Sequence, residues 1–526
     1  MKNKIKKPQQ GFALLLLLSS IVVFVMIFTS ALMIVETNFD VVSRNVKSQQ
    51  AFNVAEAGIN YYLWHLSHSP ADFKDGLTTP TTPDPSLGYG PYVHNYIDDN
   101  AVITGTYTLW IKPQGGGSSI VTVRSIGNIT GSKSSRMVEA QIGSPSYASY
   151  AISADTEIWF GNTESANGPV HSNQGVRMDG ASNADITSAN TTYTPSLAIG
   201  GDGSSHPGVW CSNSVTTPVN CATRSKTSWR YPVPSLDFNQ VIGSLCTIKK
   251  NAFLANSSTS ALALVASPCT QTPTTLTPNY LPQRSTTATY SATKGYLISL
   301  NSDGTYDLFQ VNAEDDTKTP YTSALTLVSV ANNVSVGSSQ VIFAEDNVWV
   351  RTNGSYSGRI TIAAGRLATT VNAEVTIVDN MLYGSKSGTD AIGLVSEDAV
   401  FLAAYAAPKT GNFTLEVDAA VIAQAGSVTY PLYYRGTTTC TQGWSGASQK
   451  LVFYGSIATR QTWTWTWIVG NNPCGNAVNV SGTGYVSGIL NNSTQYDYNL
   501  QYTPPPSFPL TSSYNILGWR EVLSAP

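Results

Sequence analysis

Five histidines, six cysteines and a thin scatter of carboxylates are the residues of this chain best able to do chemistry. His65, His68, His94, His171 and His206 form no HExxH pair and stand beside neither a reactive cysteine nor a GxSxG turn, so neither zinc hydrolysis nor a nucleophile with its base is indicated. His65 and His68 lie one helical turn apart and could share a metal, but two residues near a helix end read more simply as solvated. His171, in GPVHSN, reads as a strand residue. Asp379, Asp398 and Asp418 recur at steps of 19 and 20 residues. Stacked carboxylates would need a cation between them; Asx turns closing three corners need none, and that is the preferred reading. The stretch NSDGTYD, from Asn301 to Asp307, has the flavour of a calcium loop without its spacing or terminal glutamate, and DG between strands makes a hairpin. A polysaccharide lyase or hydrolase needs acids or bases converging on one groove. Arg351, Arg359, Arg366 and Asp379 are the one local cluster of that kind, and fold analogy alone would not make them a site. The expectation is a protein without catalytic residues, cofactor or metal.

The cysteines carry structure instead. None forms a CxxC or zinc-type pattern, and a set of six allows fifteen pairings. The pairs nearest in sequence, Cys211 with Cys221, Cys246 with Cys269 and Cys440 with Cys474, each span a loop rich in Thr, Pro, Ser or Asn, and local disulfides are expected there. Trp463, Trp465 and Trp467 alternate with threonines, so in one strand their indoles share a face. Open, that face is a platform for a sugar ring, which makes surface glycans a candidate partner. Closed, it is core, the favoured reading, because three bare indoles in a row are an adhesion hazard.

The element that organises the chain is its beginning. Lys2, Lys4, Lys6 and Lys7 precede Gly11, and no charge follows from Phe12 to Val35. These residues as an α-helix rise roughly 36 Å, enough to cross a bilayer with tilt to spare. From Glu36 to about Leu66 the sequence stays free of proline and turns amphipathic, with Phe39, Val42, Val46, Phe52, Ala55 and Ile59 at three- and four-residue steps. One continuous helix is expected, anchored in the membrane through residues 12–35 and offering a packing stripe outside it. Lysines before the span and Glu36 and Asp40 after it put the N-terminus in the cytoplasm and the bulk of the chain outside. With 12% charged residues and a net charge of −3, there is no basic surface for nucleic acid.

A basic leader ending in Gly11, an aromatic Phe12 directly after it and then an apolar helix resembles the class III signal of type IV pilins and pseudopilins. The segment from Ala51 to Ile59, AFNVAEAGI, with Glu56 inside it, is similar to the AFxxAEAGL stretch of PilX-type minor pilins. The resemblance implies that prepilin peptidase cuts after Gly11 and methylates Phe12, and that the helix packs among other pilin or pseudopilin subunits. Major pilins usually carry glutamate at the fifth residue after the cut, where a buried carboxylate meets a neighbour's amine. Here that residue is Leu16, which fits a minor or tip subunit, a pseudopilin, or a protein that keeps only the anchor. A cleaved secretory signal would be shorter and would not run on as helix; an uncleaved anchor without a filament fits the hydropathy equally well but needs no AEAG segment.

Beyond the helix, a Pro/Gly-rich connector is expected over 67–100, then three antiparallel strands over 104–112, 119–126 and 136–142, so that the small β domain occupies 67–145. Residues 146–526 alternate short apolar runs with Gly, Asn, Asp and Ser and show no useful helical stripe. They read as a large β-rich ectodomain in which a repeat near twenty residues favours a β-solenoid over a β-sandwich, with a loop insertion at about 200–289 on a partner-facing side. From about Val375 the chain also resembles, more loosely, the end domain of large pilin-like proteins of uncharacterised function, in VDNMLYG, GLVSEDAV, AAVIAQAG, FYGSIATR and YTPPPSFPLTSSYNILGWREV. The fold class expected is α+β. The function expected is a non-enzymatic pilin-like surface protein displaying its ectodomain for adhesion or contact, with a static membrane-anchored adhesin and a solenoid polysaccharide enzyme as alternatives.

Overall fold

The computed structural model describes residues 10–69, 72–77, 82–113, 120–197, 201–213, 220–256, 269–284, 294–406, 411–430, 449–469, 478–480, 484–501, 503–511 and 514–522. It is an α+β protein: a long apolar helix followed by a large body of several β-sheets. The chain divides into two units, one made of residues 1–113, 121–142 and 516–526, the other of 114–120 and 143–515.

In the first unit, helix α1 (Gln10–His68) runs unbroken for 59 residues, as a sequence free of proline allows. Its second half lies on a five-stranded sheet ordered β1 (Tyr89–Ile97), β2 (Ile103–Pro113), β3 (Ile120–Ile129), β4 (Ser135–Gly143) and then the C-terminal strand Asn515–Val522. The pairs β1–β2 and β2–β3 are antiparallel, as a meander requires. Two features differ from the sequence reading. Strand β1 stands inside the stretch read as a connector; it is an edge strand with a register shift between Tyr89 and Tyr92, and an edge with a bulge is where Pro91 is tolerated. The last strand belongs to this sheet, although the reading ran the ectodomain to residue 526.

The second unit is built mainly from parallel strands that alternate between sheets, with an antiparallel meander of Gly295–Asn301, Thr305–Glu314 and Leu325–Ser335 added to one of them. From Ile152 to Ser188 the turns are short: Ile152 lies beside Val170 and Val170 beside Ile186. From Val341 to Thr464 the chain alternates between two larger sheets. In one, Val341 lies beside Thr361, Arg359 beside Ala391, Gly393 beside Ala420 and Phe413 beside Gln449, steps of 20, 32, 27 and 36 residues. Steps near twenty thus occur in the short turns, at 18 and 16 residues, and once later, between Val341 and Thr361, and they do not persist. In the later turns, loops of different length sit at the corners, and Asp379, Asp398 and Asp418 are not equivalent: Asp379 follows the strand Val375–Ile377, Asp398 lies between two strands, and Asp418 is inside Phe413–Ala423. Strand Gln449–Thr459 pairs on one side with Phe413–Ala423 and on the other with Ile152–Ala154, so the coil starts at mid-sheet, grows to one end, crosses over, and returns from the other.

The crossing segment holds helix α2 (Gln240–Leu254), where loops were expected. Val241, Leu245, Ile248 and Ala252 recur at steps of four, three and four, and all are buried against Tyr280, Val341, Phe343, Ala363 and Ile422 on the outer face of the large sheet. Part of the supposed insertion is thus a cover for the sheet. Inside the coil, Trp349, Ile362, Leu394, Val421 and Ile457 belong to one continuous core. The disulfides Cys211–Cys221 and Cys246–Cys269 are formed, with Cα separations of 5.7 and 5.0 Å. Cys440 and Cys474 lie outside the described residues.

Candidate functional site

The site that the sequence singles out is the face of α1, and its two halves differ. From Leu14 to Val35 the large apolar side chains are all exposed, and the most apolar eighteen residues have a mean hydropathy of 2.6 and are 0% buried. This is a helix long and apolar enough to cross a membrane. Gly11 and Phe12 are its second and third residues. Toward the other end, Ala51, Val54, Ala55, Ile59, Tyr62 and Leu66 are buried, each large one worth about 1.5–3 kcal/mol of transfer free energy.

The expected stripe is two stripes. Phe39, Val42 and Val46 are 72%, 58% and 51% exposed. At roughly 100° per residue they stand on the side of the rod away from Ala51, Ala55 and Tyr62. Ala55 and Ile59 join the buried face, and Phe52 lies at its margin, its ring 5.7 Å from that of Trp519 and beneath the Arg136 guanidinium. Between the apolar first half and the sheet, Glu36, Asp40, Arg44 and Lys47 fall on the sheet-facing side of the wheel, leaving the opposite side uncharged, with Phe39, Val42 and Val46 set among Asn38, Asn45 and Gln49.

The AFNVAEAGI segment finds its physical role here. Small residues let the helix lie close on its own sheet: a Cβ on Gly58 would come within 2.2 Å of Ser125 Oγ, and one on Gly127 of β3 within 2.0 Å of the Ala51 carbonyl oxygen. Glu56 is only partly buried. The far end of α1 is pinned by Tyr62 Oη, which donates to the Asp72 carbonyl at 2.9 Å, and by His65 Nε2 at 3.1 Å from Asp72 Oδ2. Burial raises the Asp72 pKa, but the backbone N–H groups of Lys74 and Gly76 and the His65 ring outweigh it and leave the carboxyl below its ordinary value. His68 instead bonds to the Trp64 carbonyl, so the two histidines point to different partners. The C-terminal strand adds two ion pairs to β4, Arg136 with Glu521 and Arg520 with Glu139.

The other candidates have separate employment. Trp465 is buried on Phe453 at 5.9 Å and Trp463 packs on Phe160 at 5.6 Å, while Trp467 Nε1 donates to the Tyr430 carbonyl at 2.8 Å. The strand is interrupted at Trp465, where Thr464 Oγ1 and Thr466 bond to each other, so the three indoles do not form one flat row. Arg351 faces Asp379 at 3.8 Å, Arg359 donates to the carbonyls of Gly388, Thr503 and Pro504, and Arg366 pairs with buried Asp346. They do not converge. Asp418 is 1% exposed; burial raises its pKa, while Lys386 at 2.9 Å and the Tyr383 N–H pull the other way. Asn301–Asp307 forms the hairpin, with Gly304 at φ +81° and Asp303 accepting from Thr305. Among the described residues no group of three or more His, Cys, Asp or Glu could hold a metal.

No family model matches the sequence, and no curated protein does. Among solved structures, the competence-associated pilin ComZ from Thermus thermophilus is similar at a TM-score of 0.30 and 13% identity, covering 91% of this chain and 98% of that one. A superposition that loose transfers no detail of fold or function.

Proposed function

We propose that this chain is a non-enzymatic, membrane-anchored pilin-like surface subunit, minor or tip in type, whose helix assembles in or primes a type IV pilus or a type II secretion pseudopilus. The observation that carries the reading is α1 itself: one helix of 59 residues, bare and apolar over its first half and bedded on an antiparallel sheet over its second. A helix meant only to anchor has no need to continue unbroken out of the membrane, nor to keep Phe39, Val42 and Val46 exposed on the side away from its own sheet. Apolar side chains exposed at three- and four-residue steps along one side of a helix favour a covering partner, and neighbouring helices of the same kind supply one. The basic leader, Gly11, Phe12 and the AFNVAEAGI segment add the sequence signature, with prepilin peptidase as the processing partner. The N-terminus is then cytoplasmic and both β units are extracytoplasmic, where the disulfides are at home. We read the parallel coil as a solenoid, displayed for adhesion or contact, with surface glycans as the candidate ligand class.

N-terminal sequencing of the protein from its native membrane tests this. A mature chain beginning at methylated Phe12 and recovered with sheared filaments is the expected result. An intact Met1 on a protein that stays in the membrane fraction would sink the proposal and leave a static anchored adhesin.

A further inference from the structure

Helix α2 places one lysine where lysines are rarely found. Lys249 is 0% exposed, and its amine is ion-paired to Glu345, itself 1% exposed, at the corner after the strand Val341–Ala344. The surroundings are aromatic: the Phe343 ring lies 5.9 Å from Lys249 Nζ, the Tyr280 ring stacks on Phe343 at 6.3 Å, and Phe253 meets Tyr280 edge-on at 5.5 Å. Tyr280 Oη donates to Glu345 Oε1 at 2.8 Å.

As a salt bridge this arrangement is poorly provided. An ammonium carries three donors, and among the described residues Glu345 is the one partner of this amine. Removing two charges from water costs several kcal/mol per ion, recovered only when further hydrogen bonds complete the set. An amide in the same place would carry no charge, would need an acceptor for a single N–H, and would present one carbonyl oxygen, for which Tyr280 already supplies the donor.

We propose that Lys249 and Glu345 condense to an intramolecular isopeptide bond that staples α2 to the large parallel sheet. The ammonium first gives a proton to the carboxylate, leaving an amine and a carboxylic acid. Burial, the largest influence on Glu345, raises its pKa and favours that neutral acid, against the opposing pull of Lys249 and Tyr280. Nζ then attacks Cδ while the Tyr280 hydroxyl polarises the acyl oxygen. The C–N bond forms, the C–O bond breaks, and the departing hydroxide leaves with a proton from nitrogen as water. Nothing is oxidised or reduced and no co-reactant is needed. Two groups held in contact react at an effective concentration far above any in solution, and a dry site does not return water to the bond.

Mass spectrometry of the full-length protein, purified in detergent, reduced, alkylated and digested with trypsin, decides the matter. The expected product is a branched peptide containing both Lys249 and Glu345 and lighter by one water than its two parts. Lys249→Met removes that species, and Tyr280→Phe lowers the linked fraction measured at a fixed time after synthesis. Recovery of Lys249 and Glu345 from folded wild-type protein on two separate, unmodified peptides would overturn the proposal and leave a buried ion pair. The wild-type readout stands even where a variant fails to fold.

Discussion

Single residues decide how closely α1 approaches its sheet. Gly127 has backbone of α1 directly above it, with Ala51 O at 2.0 Å and Ala55 N at 2.5 Å from any added Cβ. A main chain cannot step aside as a flexible side-chain tip can, so overpacking costs about 1–3 kcal/mol or more. Gly127→Ala is therefore expected to lower the thermal unfolding temperature of the first unit and to raise proteolysis near residue 51, without altering the apolar first half of α1; an unchanged melting curve would show that the helix does not lie there. A second residue governs pH response. His171 is 1% exposed, with its ring nitrogens 3.0 Å from Thr187 Oγ1 and Asn173 Oδ1. Burial, the dominant influence, lowers its pKa below 6.5, with the Asn173 bond acting in the other direction. Between that lowered folded value and 6.5, the unfolded chain takes up a proton that the folded one refuses. This contribution is fully present above 6.5 and is lost as pH falls toward the folded value. Measured from pH 7 to pH 5, the wild-type melting temperature should fall more steeply than that of His171→Gln. Neither role could be read from the sequence: GPVHSN marked a strand but not its burial, and AFNVAEAGI marked a helix but not the glycine facing it from β3.

At the level of elements, what was legible followed from local pattern, and what was not depended on distant partners. The continuous α1, the strands β2 to β4 and the Asn301–Asp307 hairpin announce themselves through charge-free length, alternation and DG. Strand β1 did not, because a proline at a bulged edge looks like a connector. Helix α2 was readable in principle, since Val241, Leu245, Ile248 and Ala252 carry the stripe. It was masked by Gly243, Ser244 and Thr247 within it and by proline- and threonine-rich flanks. Parallel coils are the hardest case, since successive pairing partners lie anywhere from 16 to 36 residues away or more and corner length follows no rule. Two disulfides were found by proximity alone, as short loops permit. Gly243 gives α2 a test of its own. It is exposed, and an added Cβ would meet nothing within 4 Å. Alanine there should stabilise the second unit by about 0.5–1 kcal/mol through helix propensity. A denaturant midpoint that falls instead would mean that this stretch is not helical in solution.

The whole molecule is one small unit with a large one inserted into it, because β4 and the C-terminal strand are neighbours in a single sheet although Arg136 and its partner Glu521 are 385 residues apart. No periodicity or composition could reveal that pairing, which is why the sequence read the C-terminus as the end of the ectodomain. The insertion is also tied at its own neck. Thr511 N donates to the Pro145 carbonyl at 2.7 Å, Ser144 Oγ to the Thr511 carbonyl at 2.9 Å and Tyr147 N to the Pro509 carbonyl at 3.2 Å, so the chain leaves the second unit beside the point where it enters. Ends so close mean that loop closure costs little when the insert is shortened, since the entropy of closing a loop grows only slowly with its length. Replacing residues 144–511 with a short Gly/Ser turn should therefore leave the small unit folded on α1, because its buried residues, from Ala51 to Leu66 on the helix and Leu109, Ile111, Val123, Val138 and Ile142 on the strands, all lie outside the excised part. Limited proteolysis of that shortened protein in detergent should yield one resistant fragment containing both Tyr62 and Trp519. Cleavage that separates the C-terminal strand from α1 would show that the small sheet depends on the insertion for its closure.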